Sequence, residues 1–244
     1  INGRKVGEVP FAEAATSADN ILVSNACETV PTLSDFRVFR KWEHDDYVPR
    51  PVVPKGEETY TVGMNVCSLW TNGTGSGWSS VTPFDDPHPV LGYYDERNPE
   101  TADWEIKYLV EHGIDFGAYC VFFNSASGPQ NIGRCHLYDG FMNAEYSDMS
   151  KFCVIWETAN ASSPYTVEAW KNDYVPYFIE NFFKDPRHIV IDNKPVLCVF
   201  GAGKIADRLG SNAKVKECFD YLEEEVKKIG FDGMIYLVCG TSSQ

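Results

Sequence analysis

The chain has 244 residues, of which 43% are hydrophobic and 14% aromatic, so it can bury a sizeable core and is typical of a globular protein. Its formal net charge of −14 argues against nucleic acid or an anionic membrane as a partner, because both require basic surfaces. No stretch approaches about 18 uninterrupted apolar residues, so we predict no membrane span. The chain opens on INGRKVGEVP, without an initiator Met or a signal peptide, which we interpret as an excerpt or a processed product.

Residues 1–58 differ from the rest of the chain in their sequence pattern. NILVSNA and FRVFRKW are typical of short strands, and a linker-like segment containing Pro49, Pro51 and Pro54 follows them. We therefore predict that residues 1–58 are the tail of a β-rich module plus a Pro-rich linker, and that residues 59–244 form a second domain.

Apolar runs recur at regular intervals in the second domain. They are near-continuous rather than alternating, as expected for parallel strands that are covered on both faces. The runs lie at residues 61–70, 116–123, 152–156, 195–200 and 233–240.

Helical patterns separate these runs. The clearest pattern covers residues 98–113, with Asn98 as the N-cap, Pro99 at the first helical position and Gly113 just past the end. The next long helix is predicted to bend at Pro176, because proline interrupts helical hydrogen bonding. Further patterns cover residues 135–146, 165–183 and 213–230.

Alternation of strands and helices predicts right-handed crossovers in one parallel sheet. Two architectures satisfy this pattern, an open doubly wound α/β sheet and a (β/α)8 TIM-type barrel. Three more units of roughly 30 residues each would be needed to close a barrel. A barrel would therefore be present here only in part, with about five of its eight units.

Five of the eight cysteines each fall in a separate apolar run, and no CxxC pair occurs. We interpret them as buried, reduced thiols rather than as a disulfide framework, which belongs to small loop-rich domains. The histidines are scattered along the chain, so we predict no metal site and no cofactor. The five cysteines are Cys67, Cys120, Cys153, Cys198 and Cys239.

A long loop rich in Gly, Ser and aromatic residues covers residues 71–97. Loops this long inside compact domains are usually functional or disordered. In either architecture the loop emerges at the carboxyl ends of the strands, where ligands bind. Tyr94 and Asp95, at its end, are therefore candidate ligand contacts, although they could equally brace the loop.

Polar and aromatic residues stand at the ends of three other predicted strands. Glu157 follows FCVIW, where a carboxylate needs a partner or a polar ligand, and a salt bridge to a loop is its alternative role. Asn124 follows YCVFF, and Trp70 and Trp156 offer flat faces on which sugar rings stack. Aromatics, acids and amides without a basic cluster favour a neutral polyol over a phosphate.

One motif suggests a different ligand. Gly201, Gly203 and Ala206 form GxGxxA directly after a strand, which is a dinucleotide-binding fingerprint. The context fails, because the following helix is broken by LGSN and the next strand ends in VCGTSS, without an acidic residue. We therefore do not predict NAD binding.

The segment PVLGYYDERNPETADWEIKYLVEHGIDFGAYCVFF resembles the glycoside hydrolase family 99-like group, also called the WbsX-type domain. In that group a GYYD element precedes a helix that leads into a GIDgF-like strand. KFCVIWETAN and YFIENFFKDPRHIVIDNKPVLCVF resemble two later motifs of the same group, so the likeness covers roughly residues 60–200.

The resemblance implies a (β/α)8 barrel that acts on glycans at the carboxyl ends of its strands. Relatives are retaining endo-α-mannosidases that use two carboxylates, with the sugar's own 2-hydroxyl as the participating group. The family carries this pair in an NEWxEG-like motif on a late strand, and no such motif occurs in these 244 residues. The resemblance therefore predicts no catalytic residue in this chain and places the pair beyond residue 244, whereas Glu157 would contact substrate.

The leading hypothesis is a retaining endo-type glycoside hydrolase that acts on a mannose-like glycan. A non-catalytic glycan-binding module and a glycosyltransferase-type protein of polysaccharide assembly are the alternatives. The expected partners are an oligo- or polysaccharide and further modules of the same polypeptide. An extracellular or cell-surface location is favoured over a cytoplasmic one.

Overall fold

The structure is a computed structural model, and it describes most of residues 59–244 but little of residues 1–58. The described residues are 47–56, 60–67, 70, 78, 89, 91, 94–124, 128–132, 136–158 and 166–239, with only the backbone described for residues 124 and 128–132. The predicted strands NILVSNA and FRVFRKW lie outside these ranges, as does most of the loop at 71–97.

Within the described residues, eight strands form one large sheet and one small one. The strands are β1 (Gly63–Val66), β2 (Phe116–Val121), β3 (Phe123–Asn124), β4 (Gly128–Ile132), β5 (Lys151–Glu157), β6 (Val190–Ile191), β7 (Lys194–Phe200) and β8 (Ile235–Cys239). The five predicted strands correspond to β1, β2, β5, β7 and β8. The antiparallel pairs β3–β4 and β6–β7 were not predicted from the sequence.

Strand order decides between the two predicted architectures. β1, β2, β5, β7 and β8 lie side by side in chain order, and every neighbouring pair is parallel. A doubly wound sheet reverses its order at a switch point, and the described strands show no reversal. The described sheet is therefore part of a (β/α)8 barrel, as predicted.

Helices connect these strands on one side of the sheet. The α-helices are α1 (Pro99–Glu111), α2 (Val167–Ala169), α3 (Val175–Phe178), α4 (Gly203–Leu209) and α5 (Asn212–Lys228). The π-helices are His136–Gly140, Trp170–Tyr174 and Ile179–Phe183, and the 3-10 helices are Phe141–Asn143 and Ser147–Met149. No helix within the described ranges is long and apolar enough to cross a membrane.

Helix α1 forms as its sequence signals predict. The Asn98 side chain accepts a hydrogen bond from the Glu100 backbone N–H (3.1 Å), and Pro99 occupies the first turn. Gly113 follows the helix with φ of +68°, a conformation that glycine adopts without a steric penalty. Local cap chemistry therefore sets both ends of this helix.

Two other helical predictions are correct in position but wrong in type. The helix predicted at 165–183 is built from α2, α3 and two π-helical turns, and the turn Trp170–Tyr174 lies just before Pro176. Because Pro176 cannot donate a helical hydrogen bond, regular α geometry is interrupted there. The helix predicted at 135–146 is likewise a π-helix followed by a 3-10 helix.

Separate apolar clusters cover the two faces of the sheet. The helix-covered face carries the larger one, which includes Trp156, Trp170 and Phe178. The other face, which we term the inner face, carries a smaller cluster whose buried members are Ala118, Cys153, Ile155, Ile189, Val196 and Cys198. In a (β/α) barrel the face without helices lines the interior.

The described part of the predicted linker packs against α1. Val48 is buried in the main core, and its carbonyl accepts a hydrogen bond from the Tyr146 hydroxyl (2.8 Å). The Tyr47 hydroxyl donates to the Asp103 carboxylate (2.5 Å), and the Val52 N–H donates to Glu111 (3.1 Å). Residues 47–52 are therefore held on the helix rather than extending from it.

Candidate functional site

An aromatic group lies where the loop at 71–97 joins α1. Trp70 stacks on Trp78 with ring centroids 4.3 Å apart, and Tyr94 meets Trp78 edge to face at 5.1 Å. The Trp78 indole N–H donates to the Tyr94 carbonyl (2.5 Å), and the Trp78 side chain is buried. Trp70 and Tyr94, the two predicted ligand contacts, keep partly exposed rings.

The predicted ligand contact Asp95 has a local role. Its carboxylate accepts bonds from the Arg97 Nε (2.9 Å) and Nη2 (2.6 Å) and from the Arg97 backbone N–H (3.0 Å). The Asp95 carbonyl also accepts from the Asn98 N–H (2.9 Å), immediately before α1. Asp95 therefore braces the turn into the helix, which was the alternative considered for it.

Glu96, the residue after Asp95, is buried and only 3% exposed. Its backbone N–H donates to the Trp70 carbonyl (3.0 Å), and its Oε2 accepts from the Trp70 N–H (3.0 Å). This pair of bonds ties the end of the loop to the segment that follows β1.

Glu96 belongs to a cluster of carboxylates around a buried imidazole, which we term the Glu96–Glu105–His136 cluster. His136 Nε2 lies 2.6 Å from Glu105 Oε2, and its Nδ1 lies 4.0 Å from Glu96 Oε1. One ligand-type atom from each of the three residues lies within 4.8 Å of the others. The Tyr119 ring meets the His136 ring edge to face at 5.1 Å and closes the cluster on the sheet side.

Electrostatics within the cluster favour the charged imidazole. Burial disfavours the charge on His136, but the carboxylates of Glu105 and Glu96 outweigh burial and raise its pKa. Burial, with the same two carboxylates, raises the pKa of Tyr94 to about 12. Burial and these carboxylates also raise the pKa of Tyr119 well above its ordinary value.

This cluster was not predicted from the sequence. Its members come from the loop, from α1 and from the π-helix His136–Gly140, so no local motif joins them. The one signal available in the sequence was Glu96, an acidic residue in the segment GYYDER just before α1. The sequence-based expectation of no metal site considered the histidines alone and overlooked carboxylates that approach one of them.

Gly140 permits the close approach on which the cluster depends. A Cβ atom at this position would lie 2.4 Å from the Glu96 carbonyl oxygen and 3.2 Å from His136 Cδ2. Its φ of −84° suits any residue, so contact rather than conformation requires glycine here.

We expect Gly140→Ala to destabilise the protein by about 1–3 kcal/mol, because the Glu96 backbone must move to admit a methyl group. Urea denaturation measures the change. Gly203→Ala is the matched control, since a Cβ at Gly203 would contact nothing within 4 Å and should leave stability within about 0.5 kcal/mol. Equal effects for both variants would contradict the close packing of Gly140 on Glu96.

Glu157 ends β5 and is 6% exposed. Successive strand residues alternate between faces, so Glu157 shares the inner face with Cys153 and Ile155. The next residue, Thr158, donates from its N–H (3.0 Å) and its hydroxyl (2.7 Å) to the Phe200 carbonyl at the end of β7. These bonds fix the position of Glu157 at the carboxyl end of the sheet.

The prediction that Trp156 stacks on a sugar is wrong. Trp156 is fully buried on the helix-covered face, with its ring centroid 5.1 Å from that of Trp170 and 5.8 Å from that of Phe178. It lies one residue before Glu157 and so points to the opposite face. Asn124 ends β3 as expected of a strand-end residue, and only its backbone is described.

Thiols line the inner face beside Glu157. Cys153 and Cys198 are buried with their sulfur atoms 3.7 Å apart, whereas Cys67 is exposed, contrary to the prediction of a buried thiol. Burial, followed by the neighbouring Cys67, raises the pKa of Cys120 to about 12. The Cys198 contact and burial raise the pKa of Cys153. Cys120 and Cys153 are therefore protonated near neutral pH and are poor nucleophiles.

Comparison with protein families identifies the family of the chain. The model of the family described as glycosyltransferase WbsX matches residues 83–244, which is more than half of the chain. The chain belongs to the WbsX family. Comparison of the sequence with curated proteins finds no match.

Solved structures similar to this WbsX chain include an endo-α-mannosidase of glycoside hydrolase family 99 from Bacteroides thetaiotaomicron, in complex with bis-tris propane. The two share 14% identity and a TM-score of 0.44, over 59% of this chain and 42% of that one. A protein described as glycoside hydrolase-like shares 14% identity and a TM-score of 0.49, over 79% of this chain and 54% of that one. The chain thus spans about half or less of the length of these two structures.

Proposed function

We propose that this WbsX-family protein binds a glycan at the carboxyl ends of its parallel strands and acts on it as a retaining endo-type glycoside hydrolase. The buried carboxylate of Glu157, at the end of β5 on the inner face, is the observation that carries the proposal. A carboxylate is costly to desolvate, and it is well placed there to accept hydrogen bonds from sugar hydroxyl groups.

Residues near the ends of other strands are proposed to supply the other contacts that a sugar needs. Trp70 and Tyr94 are partly exposed, and their rings would offer apolar faces to a sugar. Asn124, which ends β3, is proposed as a further contact. Asp95 contributes to this surface through its ion pair with Arg97, and so orients the turn that carries Tyr94. Acids, amides and aromatics match a neutral polyol better than an anion. The resemblance to the glycoside hydrolase family 99-like group suggests a mannose-like glycan, which is the substrate we propose.

In this proposal Glu157 positions the substrate and does not transfer protons to the scissile bond. Retaining hydrolysis needs a carboxylate that acts as base and a second that acts as acid. We propose that this pair lies beyond residue 244, on a later strand of the same polypeptide. Glu157 would hold a hydroxyl of the sugar so that the reacting carbon faces that pair.

Glu157→Gln is expected to weaken binding of an α-linked manno-oligosaccharide by roughly 10- to 100-fold, because a hydrogen bond to a charged group contributes about 1.5–3 kcal/mol. Isothermal titration calorimetry measures the affinity. Glu168→Gln is the matched control, since Glu168 is exposed on α2, and it should bind like the parent protein. Unchanged affinity in Glu157→Gln would overturn the proposed site.

The family description favours glycosyl transfer as a second candidate function. Transfer requires an activated donor, so product would form only when a sugar nucleotide accompanies the acceptor glycan. Hydrolysis would release a reducing sugar without any donor. Mass spectrometry of the products with and without sugar nucleotide separates these two functions, and binding without turnover in both reactions would indicate a glycan-binding module.

A further inference from the structure

We propose that the Glu96–Glu105–His136 cluster binds one divalent transition-metal ion, of the Mn²⁺ or Zn²⁺ class. Three separate segments of the chain bring two carboxylates and one imidazole together, with one ligand-type atom from each within 4.8 Å of the others. This site lies on the helix-covered side of the sheet, where Tyr119 packs on His136, and it is distinct from the inner face that carries Glu157.

The donor set narrows the class of ion. Two carboxylates and one imidazole suit Mn²⁺, Fe²⁺, Co²⁺ and Zn²⁺, which accept mixed oxygen and nitrogen ligands. Ca²⁺ prefers sites built from oxygen ligands alone, and Cu⁺ prefers sulfur. The charges agree with this assignment, because a divalent cation offsets two carboxylates that would otherwise repel each other at this short range.

The state of His136 independently indicates a ligand. Its side chain is completely buried, and its Nδ1 has no hydrogen-bond partner among the described residues. Nε2 faces Glu105 Oε2 at 2.6 Å, whereas Nδ1 lies 4.0 Å from Glu96 Oε1, beyond hydrogen-bond distance. A buried polar group that lacks an aligned partner costs about 1–3 kcal/mol. A coordinate bond from one ring nitrogen would remove part of that cost.

A hydrogen bond from a neighbouring residue fixes the Glu96 carboxylate, as hydrogen bonds commonly fix the carboxylate ligands of a metal ion. The Trp70 N–H occupies Glu96 Oε2 (3.0 Å), so that Glu96 Oε1 is the oxygen nearer to His136 Nδ1. Metal-bound carboxylates are commonly fixed by such hydrogen bonds. Gly140 adds rigidity, because its lack of a side chain lets the π-helix contact the Glu96 backbone.

Glu105 is the ligand that must move. Ligand atoms bonded to one metal at about 2.0–2.2 Å stand roughly 3 Å apart, which is more than the 2.6 Å between His136 Nε2 and Glu105 Oε2. The Glu105 side chain is 24% exposed, so it can rotate slightly outward without disturbing the core. The same exposure gives an ion access to the cluster from solvent.

A proton is the competing occupant. An imidazolium between two carboxylates would offset one of their two negative charges, and it would leave no room for a metal ion. The two alternatives predict different behaviour in Mn²⁺. Only a protein with a metal site would bind Mn²⁺ stoichiometrically and become more stable as the Mn²⁺ concentration rises.

Mn²⁺ is the probe of choice, because it does not favour the thiols of the inner face. Protein treated with a chelator and then dialysed is titrated with Mn²⁺, and free Mn²⁺ is counted by electron paramagnetic resonance. We expect one bound ion per chain and a rise in melting temperature with Mn²⁺ concentration. Glu105→Gln and His136→Gln should each weaken Mn²⁺ binding by about tenfold or more, since each removes a ligand.

Glu100→Gln is the matched control, since Glu100 is exposed on the same helix and outside the cluster, and it should bind Mn²⁺ like the parent protein. Far-UV circular dichroism identifies a variant that fails to fold, and the partly exposed position of Glu105 makes Glu105→Gln the safer of the two. Equal Mn²⁺ binding in Glu105→Gln and the parent, or no stoichiometric binding in the parent, would overturn the metal site. The proposed glycan site would stand in either case, because Glu157 lies on the other face.

Discussion

Asp103→Ala is expected to lower the free energy of unfolding by about 3–4 kcal/mol. Asp103 is completely buried in α1, and its carboxylate accepts three hydrogen bonds. The donors are the Tyr47 hydroxyl (2.5 Å), the Glu145 N–H (2.9 Å) and the Tyr146 N–H (2.8 Å). Alanine would leave these donors without their acceptor, and a buried donor without a partner loses the full cost of its desolvation.

Three further variants separate the parts of this effect. Tyr47→Phe removes one donor and should cost about 1 kcal/mol, and Asp103→Asn keeps one acceptor oxygen and should cost less than alanine. The double variant Tyr47→Phe/Asp103→Ala should lose less stability than the sum of the losses of the two single variants, because both substitutions break the same hydrogen bond. Urea denaturation measures all four proteins. A loss below about 1 kcal/mol for Asp103→Ala would mean that water replaces the carboxylate.

This network also shows why the linker was predicted less well than α1. The cap of α1 depends on neighbours within two residues, whereas Tyr47 meets Asp103 across 56 positions of sequence. Three prolines predicted a linker-like segment. They gave no information about the helix to which the segment would be fixed, because that contact depends on the completed fold.

The strands were predictable because buried parallel strands have a strong apolar signal. Their order supplied the architecture, since only a singly wound sheet places β2, β5, β7 and β8 in sequence. The direction of individual side chains was harder to predict. Trp156 and Glu157 are adjacent, and a strand sends adjacent residues to opposite faces, so both could not line one ligand surface.

The Glu96–Glu105–His136 cluster lay beyond sequence-based prediction for a different reason. His136 begins a π-helix, and the sequence around it gave only a weak helical pattern. The ring therefore had no predicted direction, and neither carboxylate had a predicted partner. A single sequence gives the types of residues in such a cluster, but the fold alone brings them together.

The second large effect concerns pH and a different histidine. His188 is 2% exposed and lies between the rings of Phe152 (5.1 Å) and Phe183 (5.2 Å). Burial lowers its pKa to about 4, although a backbone hydrogen bond at Ile189 and the charge of Asp185 oppose the shift. The ring is almost completely buried between two aromatic side chains, so the folded protein strongly prefers its neutral form.

Stability should therefore fall as the solution is acidified. Above pH of about 6.5 the ring is neutral in both states and contributes no pH dependence. Between that pH and about 4 the unfolded chain binds a proton that the folded protein does not, so unfolding becomes easier as pH falls. The loss should be complete below the folded pKa and should total about 3 kcal/mol, at about 1.4 kcal/mol for each pKa unit.

His188→Leu should remove this dependence, because an apolar side chain of similar size has no proton to bind. Its free energy of unfolding, followed by urea denaturation between pH 7 and pH 4, should fall by about 3 kcal/mol less than that of the parent protein. His112→Gln is the matched control, because His112 is exposed just past α1 and its removal should leave the parent's pH dependence intact. Parallel pH profiles for the parent protein and His188→Leu would show that the buried ring titrates normally, and that another group causes any loss of stability in acid.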